Sequence, residues 1–367
     1  MTKQKYIHHH PSQSDNDENT HDWYHRYNEF TRQAVDTQLV WKKLKYPDIP
    51  YGEHTTKQGH YYPHILPQSK WQSNIYPDTK SSMLHYAQEE KVFINQQKNN
   101  LLSSQICCFN FLYIFRENRE YARTILGPLL PHVREITDIQ FEDTGPKGCT
   151  AWLGEPPGGG RGYCRTSADV AVYWIDQEER SRVTYVEWKY TETTFGPCGG
   201  YKSKTNHHPE ICEKLNIEDY SARNCYLCNG NSEYQKRRYW EHLEMNQKCQ
   251  SQLILNRLKS IRGCPFRGPL NQLMRLTLLA DYTQQDARYD HVDVVVLYFS
   301  RTQDLFRLPY HLSRAAHKNV VDLWQSTLTD PDRFRAVTVE EMLKAYDRSP
   351  DSELKYWRNY IRERYDV

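Results

Sequence analysis

The chain has 367 residues, of which 38% are hydrophobic and 13% aromatic, and it carries a formal net charge of +2. The length allows one large domain or two ordinary ones, and the aromatic content argues against a globally disordered chain. A near-neutral chain does not bind nucleic acid through its overall charge, so any basic surface must be local. No stretch approaches the roughly 18 apolar residues of a membrane span, and no apolar signal segment is visible, so we expect a cytoplasmic protein with no membrane contact.

The N-terminal part of the sequence has no strong hydrophobic period. Residues 1–22 almost lack aliphatic side chains, which is typical of a disordered tail. Residues 23–98 are predicted to form an irregular arm with helical segments near 23–45 and 82–98. Prolines interrupt the stretch between those segments, and we expect the arm to wrap around the body of the protein.

Residues 99–300 carry the apolar segments of a mixed α/β core. A helix is predicted in "NNLLSSQICCFNFLYIF", and three strands are predicted in "TDIQFEDTG", "SADVAVYWID" and "RVTYVEWKY". A polar, cysteine-bearing insertion follows at 196–232. A long helix over 233–261, a second helix opened by Pro269 and a fourth strand, "HVDVVVLYFS", complete the core. With a helical C-terminal extension at 301–367, this order indicates an α/β sandwich around a short sheet.

Two neighbouring predicted strands carry charges that strand interiors usually exclude. Side chains alternate along a strand, so Glu187 and Lys189 share a face, and a turn centred near Glu178 puts Asp169 directly opposite Glu187. Like charges in that position destabilise the pair, and a divalent cation would offset them because hard metals prefer carboxylate oxygens. Lys189 could then orient or deprotonate a water, or stabilise charge on a phosphate.

One metal held by two carboxylates beside a lysine suits hydrolysis of a phosphodiester. The alternative is a surface hairpin in which Lys189 makes ordinary ion pairs, because an isolated acid–acid–lysine pattern also occurs by chance. The strand context, the shared face, the cross-strand register and the apolar residues on the opposite face favour the metal site.

These residues resemble the PD-(D/E)xK nuclease superfamily, whose restriction-endonuclease-like core runs helix, three strands, helix, strand. Asp169 matches the aspartate of its motif, Glu187 the second acid and Lys189 the lysine, while Ala168 stands where many members have proline. More narrowly, "SSQICCFNF", "RTSADVAVYW", "VEWKYTE" and "NQLMRLTLLA" are similar to a bacterial family of restriction endonucleases of unknown specificity. The resemblance covers most of 100–300 and does not extend usefully to 1–95 or beyond 310.

The resemblance implies that Asp169 and Glu187 bind Mg²⁺ or Mn²⁺ and that Lys189 assists the water that attacks a DNA phosphodiester. It also implies that an upstream acid, here Glu142, joins the metal site; otherwise Glu142 is an exposed glutamate at a strand end. A glutamine on the helix before the last strand often approaches the active site in this superfamily, and here that residue is Gln272.

Two further residues near this motif are assigned from periodicity. Arg275 lies three residues after Gln272, so the two share a helix face, and Arg275 could hold a phosphate bidentately or lie on a solvated face. Glu192 closes "VEWKYTE". If the strand continues, Glu192 lies on the face opposite Glu187, and we expect a structural role for it.

The insertion contains four cysteines, Cys198, Cys212, Cys225 and Cys228. The spacing of Cys225 and Cys228 lets both thiolates bind one tetrahedral Zn²⁺, and His207 or His208 could replace a cysteine of the other pair. Zinc would hold together a segment that has almost no apolar core. The alternative is free cysteines in a loop.

The stretch 199–268 carries twelve Lys or Arg and seven Asp or Glu, interleaved with aromatic residues. This pattern suits contact with nucleic acid, although a solvated helix face would have the same composition. With Arg275, the candidate contact residues are Lys202, Lys204, Arg237 and Arg238.

The sequence thus favours a Mg²⁺-dependent DNA endonuclease with a restriction-endonuclease-like α/β core, and the resemblance implies a role in restriction or phage defence. Two alternatives stay open: a non-catalytic nucleic-acid-binding protein with a zinc-stabilised insertion, and an RNA nuclease, since nothing in the motif recognises the sugar. A homodimer would fit a double-strand cut, although the sequence shows no interface.

Overall fold

Two β-sheets, one of five strands and one of two, organise the computed structural model. The residues that it describes are 22–158, 160–161, 164–214, 216–219, 222–230, 232, 235–245, 253–315, 317–348 and 350–367. The strands are β1 (Gly52–His54) and β2 (Lys57–Tyr62) in the small sheet, and β3 (Val133–Asp143), β4 (Ala168–Asp176), β5 (Ser181–Lys189), β6 (His291–Tyr298) and β7 (Phe334–Thr338) in the large one.

The large sheet is mixed, and its strands follow one another in chain order. β3, β4 and β5 form an antiparallel meander, whereas β6 runs parallel to β5 and β7 runs parallel to β6. Parallel neighbours need long crossover connections, which here contain helices. The predicted α/β core is confirmed, and its central sheet is mixed and flanked by helices.

Twelve α-helices lie within the described residues. They are α1 (Asp22–His25), α2 (Glu29–Lys45), α3 (Lys80–Glu89), α4 (Ser104–Glu117), α5 (Arg119–Ile125), α6 (Cys149–Trp152), α7 (Ile211–Lys214), α8 (Tyr239–Met245), α9 (Leu270–Gln284), α10 (Val320–Ser326), α11 (Val339–Arg348) and α12 (Lys355–Tyr365). None of the helices in this part of the chain is long and apolar enough to cross a membrane.

The hairpin of β4 and β5 has the register that the sequence predicts. Val170 lies opposite Val186, and the pairing continues without a shift along both strands. The same register, extended by one residue, puts Asp169 opposite Glu187. The two carboxylates therefore share one face of the sheet.

The two faces of the large sheet bury different sets of side chains. Val170, Trp174 and Trp188 belong to the hydrophobic core that contains α4. Ala171 and Tyr185 belong to the core that contains α9. This alternation is expected for strands that are buried on both faces, and it places the three charged residues of the motif on the α9 side.

Helix α4 forms and is buried as predicted. The side chain of Ser103 caps its N-terminus by accepting from the N–H of Ile106. Every residue from Ile106 to Phe115 is buried. A helix that is buried all round needs cover on both sides, and here the arm and the C-terminal extension share its core through residues such as Phe30 and Trp357.

Arg364 of α12 ties the C-terminal extension to the arm. Its side chain is fully buried, and it donates to Gln38 Oε1 at 3.1 Å and to the carbonyl of Asn74 at 2.8 Å. It also donates to Asn74 Oδ1 and to the hydroxyl of Tyr360. The guanidinium lies 4.3 Å from the ring centroid of Trp41, so one side chain joins the C-terminal extension to two segments of the arm.

Replacing Arg364 with alanine should lower the free energy of unfolding by on the order of 3 kcal/mol, because the change leaves a cavity and unpaired polar groups on Gln38 and Asn74. Chemical denaturation measures this loss. Arg362→Ala is the matched control, since Arg362 is exposed on the same helix and its loss should change stability by less than about 0.5 kcal/mol. Equal, small effects of the two changes would contradict the anchoring role.

Asp176 closes the turn between β4 and β5. Its carboxylate accepts from the backbone N–H groups of Glu178 and Arg180, and from the Nε atoms of Arg180 and Arg182 at 2.9 and 2.6 Å. Burial on its own would raise the pKa of Asp176, but these donors outweigh it and hold the pKa well below its usual range. The turn therefore depends on the ionised carboxylate.

Because its pKa is depressed in the folded state, Asp176 contributes stability above the unfolded-state pKa of about 3.9 and loses that contribution as the pH falls below it. We expect Asp176→Asn to be less stable than the wild type at neutral pH and the difference to shrink in acid. Urea denaturation across this pH range tests the prediction, with exposed Glu178→Gln as the control. A difference independent of pH would show that the charge does not matter.

Three predictions of secondary structure are wrong. The helical segment predicted near 82–98 is shorter, because α3 ends at Glu89. The described part of 233–261 is not one helix: α8 ends at Met245, and Leu253 forms a bridge with Leu328. Here tertiary pairing overrides local helix propensity. The C-terminal extension is not purely helical, because β7 adds an edge strand to the large sheet. The predicted tail at 1–22 lies outside the described residues apart from its last residue.

Candidate active site

The start of β4, the end of β5 and the end of β3 meet at an open cavity of about 310 Å³. The structure brings together there all the residues predicted for catalysis, for the carboxylate metal site and for one phosphate contact: Glu142, Asp169, Glu187, Lys189, Gln272 and Arg275. Antiparallel β4 and β5 place the first residues of one strand beside the last residues of the other. Gln272 and Arg275 reach the same cavity from α9.

Glu187, Lys189 and Gln272 form a closed set of hydrogen bonds. Lys189 Nζ lies 2.9 Å from Glu187 Oε1 and donates to Gln272 Oε1 at 3.1 Å. Gln272 Nε2 donates to Glu187 Oε1 at 2.6 Å, and its Oε1 also accepts from the N–H of Gly196 at 2.7 Å. Glu187 and Lys189 are only 4% and 5% exposed, so these contacts fix a buried ion pair that solvent screens little.

Asp169 lies beside the ion pair of Glu187 and Lys189, and a hydrogen bond holds one of its carboxylate oxygens in place. The backbone N–H of Trp188 donates to Asp169 Oδ2 at 2.7 Å. Burial raises the pKa of Asp169 well above its ordinary value, and the negative charges of Glu187 and Glu142 raise it further. The site thus concentrates negative charge that needs a cation at neutral pH.

Lys189 is a cation in this environment rather than a base. Burial on its own would lower its pKa, but the negative charges of Glu187, Glu192 and Asp169 outweigh burial and raise the pKa above its ordinary value. An ammonium group has three N–H donors and no acceptor. Lys189 is therefore suited to orient a water or to stabilise negative charge.

Glu142 is held in an unusual backbone conformation at the end of β3. Its φ is 49°, in the left-handed region that glutamate rarely adopts. Its two carboxylate oxygens accept from Gln105 Nε2 at 2.6 Å and from the hydroxyl of Ser167 at 2.9 Å. Burial raises the pKa of Glu142. Such local strain is common at functional sites, and here it directs a third carboxylate towards the cavity.

A buried hydrogen-bond network behind the cavity fixes Arg275. Its Nε donates to the hydroxyl of Thr166 at 3.0 Å. The N–H and hydroxyl of Thr166 donate to Glu155 at 2.7 and 2.5 Å, and Tyr239 donates to the same carboxylate at 2.6 Å. The network connects α8, α9 and the segment before β4. The sequence offered no periodic signal for Glu155, because it lies in an irregular loop.

Glu192 lies at the cavity, because the strand continuation on which its predicted orientation depended does not occur. β5 ends at Lys189, so the alternation of side chains stops before Glu192. The N–H of Tyr190 donates to Glu192 Oε2 at 2.7 Å, and Glu192 lines the cavity wall. The strand boundary, which sequence patterns locate poorly, decided this residue's position.

The predicted nucleic-acid contacts have different surroundings. Lys202 and Lys204 are exposed, and Arg238 is exposed beside Glu241, its ion-pair partner. Arg237 is buried and donates to two backbone carbonyls. Its buried guanidinium joins the segment before α8 to the loop between β3 and β4.

The insertion cysteines do converge, with one addition. Cys198, Cys212 and Cys225 line a small cavity of about 20 Å³, and the fourth cysteine in its wall is Cys264 rather than Cys228. Cys264 lies outside the predicted insertion, just before the short helical turn Pro265–Arg267. His207 and His208 are exposed.

The acids at the large cavity fit a hard divalent cation. Glu142, Asp169 and Glu187 supply the carboxylate oxygens that Mg²⁺ and Mn²⁺ prefer. Within the described ranges, no three His, Cys, Asp or Glu side chains stand ready to coordinate a metal ion. Glu142 and Glu187 instead hold neighbouring donors, as the distances above show. Burial, together with the neighbouring carboxylates, raises the pKa values of Asp169 and Glu142, and a bound cation would oppose both effects.

The sheet, its flanking helices and this cavity define a mixed α/β protein compatible with a restriction-endonuclease-like fold. A family model described as restriction endonuclease associating with ARP matches residues 37–366. The chain therefore belongs to this family, which confirms the predicted resemblance to restriction endonucleases. The match also extends over most of the arm and the C-terminal extension, beyond the range expected from the sequence segments. Comparison with curated proteins and with solved structures gives no significant match.

Proposed function

We propose that this protein is a metal-dependent endonuclease that hydrolyses phosphodiester bonds in DNA. The observation that carries the proposal is the meeting of Asp169, Glu187 and Lys189 in an open cavity with Arg275 in its wall. Membership of the restriction endonuclease family supports a nuclease in broad terms. The metal, the DNA substrate and a role in restriction or phage defence belong to the proposal.

Asp169 and Glu187, joined by Glu142, would hold a Mg²⁺ or Mn²⁺ ion, which would polarise the scissile phosphate and acidify a water. The protein fixes these acids in advance. The N–H of Trp188 orients Asp169, and Gln105 and Ser167 orient Glu142. Preorganised donors of this kind reduce the reorganisation that the reaction requires.

Lys189 would position the attacking water and stabilise charge on the phosphate. Glu187 and Gln272 each take one of its N–H donors, which leaves one for a water or a phosphate oxygen. Gln272 also keeps the ammonium in place through its bond to Glu187. The raised pKa of Lys189 favours this electrostatic role over proton abstraction.

Arg275 would bind a phosphate next to the one that is cleaved. Its Nε is fixed by Thr166, and a guanidinium has further N–H donors in the same plane for phosphate oxygens. Arg165 also lines the cavity. The two arginines and Lys189 provide positive charge for a polyanionic backbone beside the acids that would hold the metal.

The test is incubation of the purified chain with supercoiled plasmid in Mg²⁺ or Mn²⁺, beside an EDTA control. Metal-dependent conversion to nicked or linear plasmid is expected. Linear duplex DNA, single-stranded DNA and matched RNA are tested in parallel. If RNA alone is cut, the proposed substrate is wrong although the nuclease stands; if none of the substrates is cut with either metal, the proposal as a whole fails.

A further inference from the structure

Five cysteines meet beside the α9 core, although they are far apart in the sequence. Cys198, Cys212, Cys225 and Cys264 line one small cavity, and the thiol of Cys228 is hydrogen-bonded to that of Cys225. The cavity, about 20 Å³, has room for one water-sized occupant. A cavity of this size with four cysteines in its wall has room for a single ion.

Two of the thiols accept backbone hydrogen bonds in the same pattern. Cys198 accepts from the N–H groups of Gly200 and Tyr201, and Cys225 accepts from those of Leu227 and Cys228. In both turns the donors lie two and three residues after the sulfur. Cys264 accepts from the N–H of Phe266, two residues later. Backbone donors that orient a sulfur atom in this way are typical of the surroundings of a metal ligand.

The two cysteine turns also pack against each other. A Cβ atom on Gly200 would lie 2.5 Å from Leu227 Cγ, so any other residue at this position would force Leu227 to move. Glycine at this position therefore lets the turn of Cys198 approach the turn of Cys225. The third turn is attached through the backbone, since the N–H of Cys264 donates to the carbonyl of Cys212 at 2.8 Å.

We propose that Cys198, Cys225, Cys228 and Cys264 bind one Zn²⁺ ion that stabilises the insertion, independently of any nuclease activity. Three of these thiols carry backbone donors, and Cys228 completes the CxxC pair with Cys225. Four thiolates around zinc form a closed, structural site. As the side chains stand, the described residues contain no ready-made metal group, so the thiols must turn inwards while the backbone donors stay in place.

This assignment replaces Cys212 of the sequence prediction with Cys264. The insertion supplies three of the four sulfurs, namely the CxxC pair and Cys198. The fourth sulfur belongs to Cys264, in the segment before α9. The zinc would therefore fasten the insertion to the helix that carries Gln272 and Arg275. Loss of zinc should loosen the insertion first.

The test begins with the zinc content of the full-length wild type, purified without chelator from zinc-supplemented cells. One zinc per chain is expected by elemental analysis, and replacement by Co²⁺ should give the absorption bands of a tetrahedral thiolate site. These measurements need no variant, so they remain decisive if a substitution prevents folding. A wild type without zinc that also binds no Co²⁺ would overturn the proposal.

Serine variants test the ligand set. Cys198→Ser, Cys225→Ser, Cys228→Ser and Cys264→Ser should each weaken zinc binding by on the order of 100-fold or more and expose the insertion to proteases. Cys164→Ser is the matched control, since Cys164 is exposed, and it should keep its zinc. If Cys212→Ser loses zinc and Cys228→Ser retains it, the assignment of the four ligands is wrong.

Discussion

Replacing Lys189 with alanine should reduce metal-dependent DNA cleavage by roughly 10³-fold or more while the fold is retained. A single preorganised group that stabilises developing charge is worth about 10²- to 10³-fold in rate. The change removes the ammonium that lies 2.9 Å from Glu187 and leaves that carboxylate facing Asp169 without its cation. Initial rates of plasmid nicking give the loss, and circular dichroism with thermal melting reports the fold.

Two further variants define what the lysine contributes. Lys189→Arg keeps the charge, but its wider planar group does not fit the contact with Gln272, so we expect only partial recovery. Lys355→Ala is the surface control, since Lys355 is exposed at the start of α12 and does not line the cavity. If Lys189→Ala cleaves within about tenfold of the wild type, the catalytic role that we assign to the lysine is wrong.

Replacing Asp169 with asparagine should reduce the rate of DNA cleavage by a similar factor, roughly 10³-fold, and should weaken Mn²⁺ binding. The amide keeps an oxygen that can accept from the N–H of Trp188, so the hairpin should not change. The substitution removes one of the negative charges that would hold the cation. Plasmid nicking and isothermal titration with Mn²⁺ measure the two losses.

The same variant should be more stable than the wild type in EDTA. The pKa of Asp169 is raised in the folded state, so its ionisation costs stability once the pH exceeds the unfolded-state value of about 3.9. The stability advantage of Asp169→Asn should therefore be absent in acid and grow as the pH rises, to roughly 1 to 3 °C in the melting temperature. Thermal melts in EDTA across this pH range test the prediction.

Opposite effects of one substitution on activity and on stability would separate a functional carboxylate from a structural one. At a purely structural aspartate, replacement by asparagine should lower both activity and stability. If Asp169→Asn is destabilised in EDTA at every pH, the acids are held together by contacts other than a cation, and the metal site at this position is wrong.

Local sequence patterns predicted the centre of the molecule well. The alternation of side chains placed Asp169 and Glu187 on one face, and the length of the turn set their register, which the pairing of Val170 with Val186 confirms. The apolar run from Ile106 to Phe115 predicted a buried helix. These features depend on neighbours along the chain and on one hairpin, so the sequence specifies them directly.

Residues outside regular elements were predicted poorly, because tertiary contacts position them. Glu192 reaches the cavity only because β5 ends at Lys189. Arg237 lies in the basic stretch 199–268, yet folding buries it against two carbonyls. The described part of 233–261 is not one helix, since backbone pairing of Leu253 with Leu328 competes with local helix propensity.

The sequence by itself determined the sheet hairpin, the buried central helix and the acid–acid–lysine set, since each depends on a period of two or of 3.6 residues. The family resemblance named Glu142 but left a second position for it open. Only the tertiary structure decided where Glu142 lies, which network holds Arg275 and that Cys264 lies beside the other cysteines. These depend on which distant segments meet. How the two faces of the sheet are covered decides which distant segments meet, and no local sequence pattern encodes that covering.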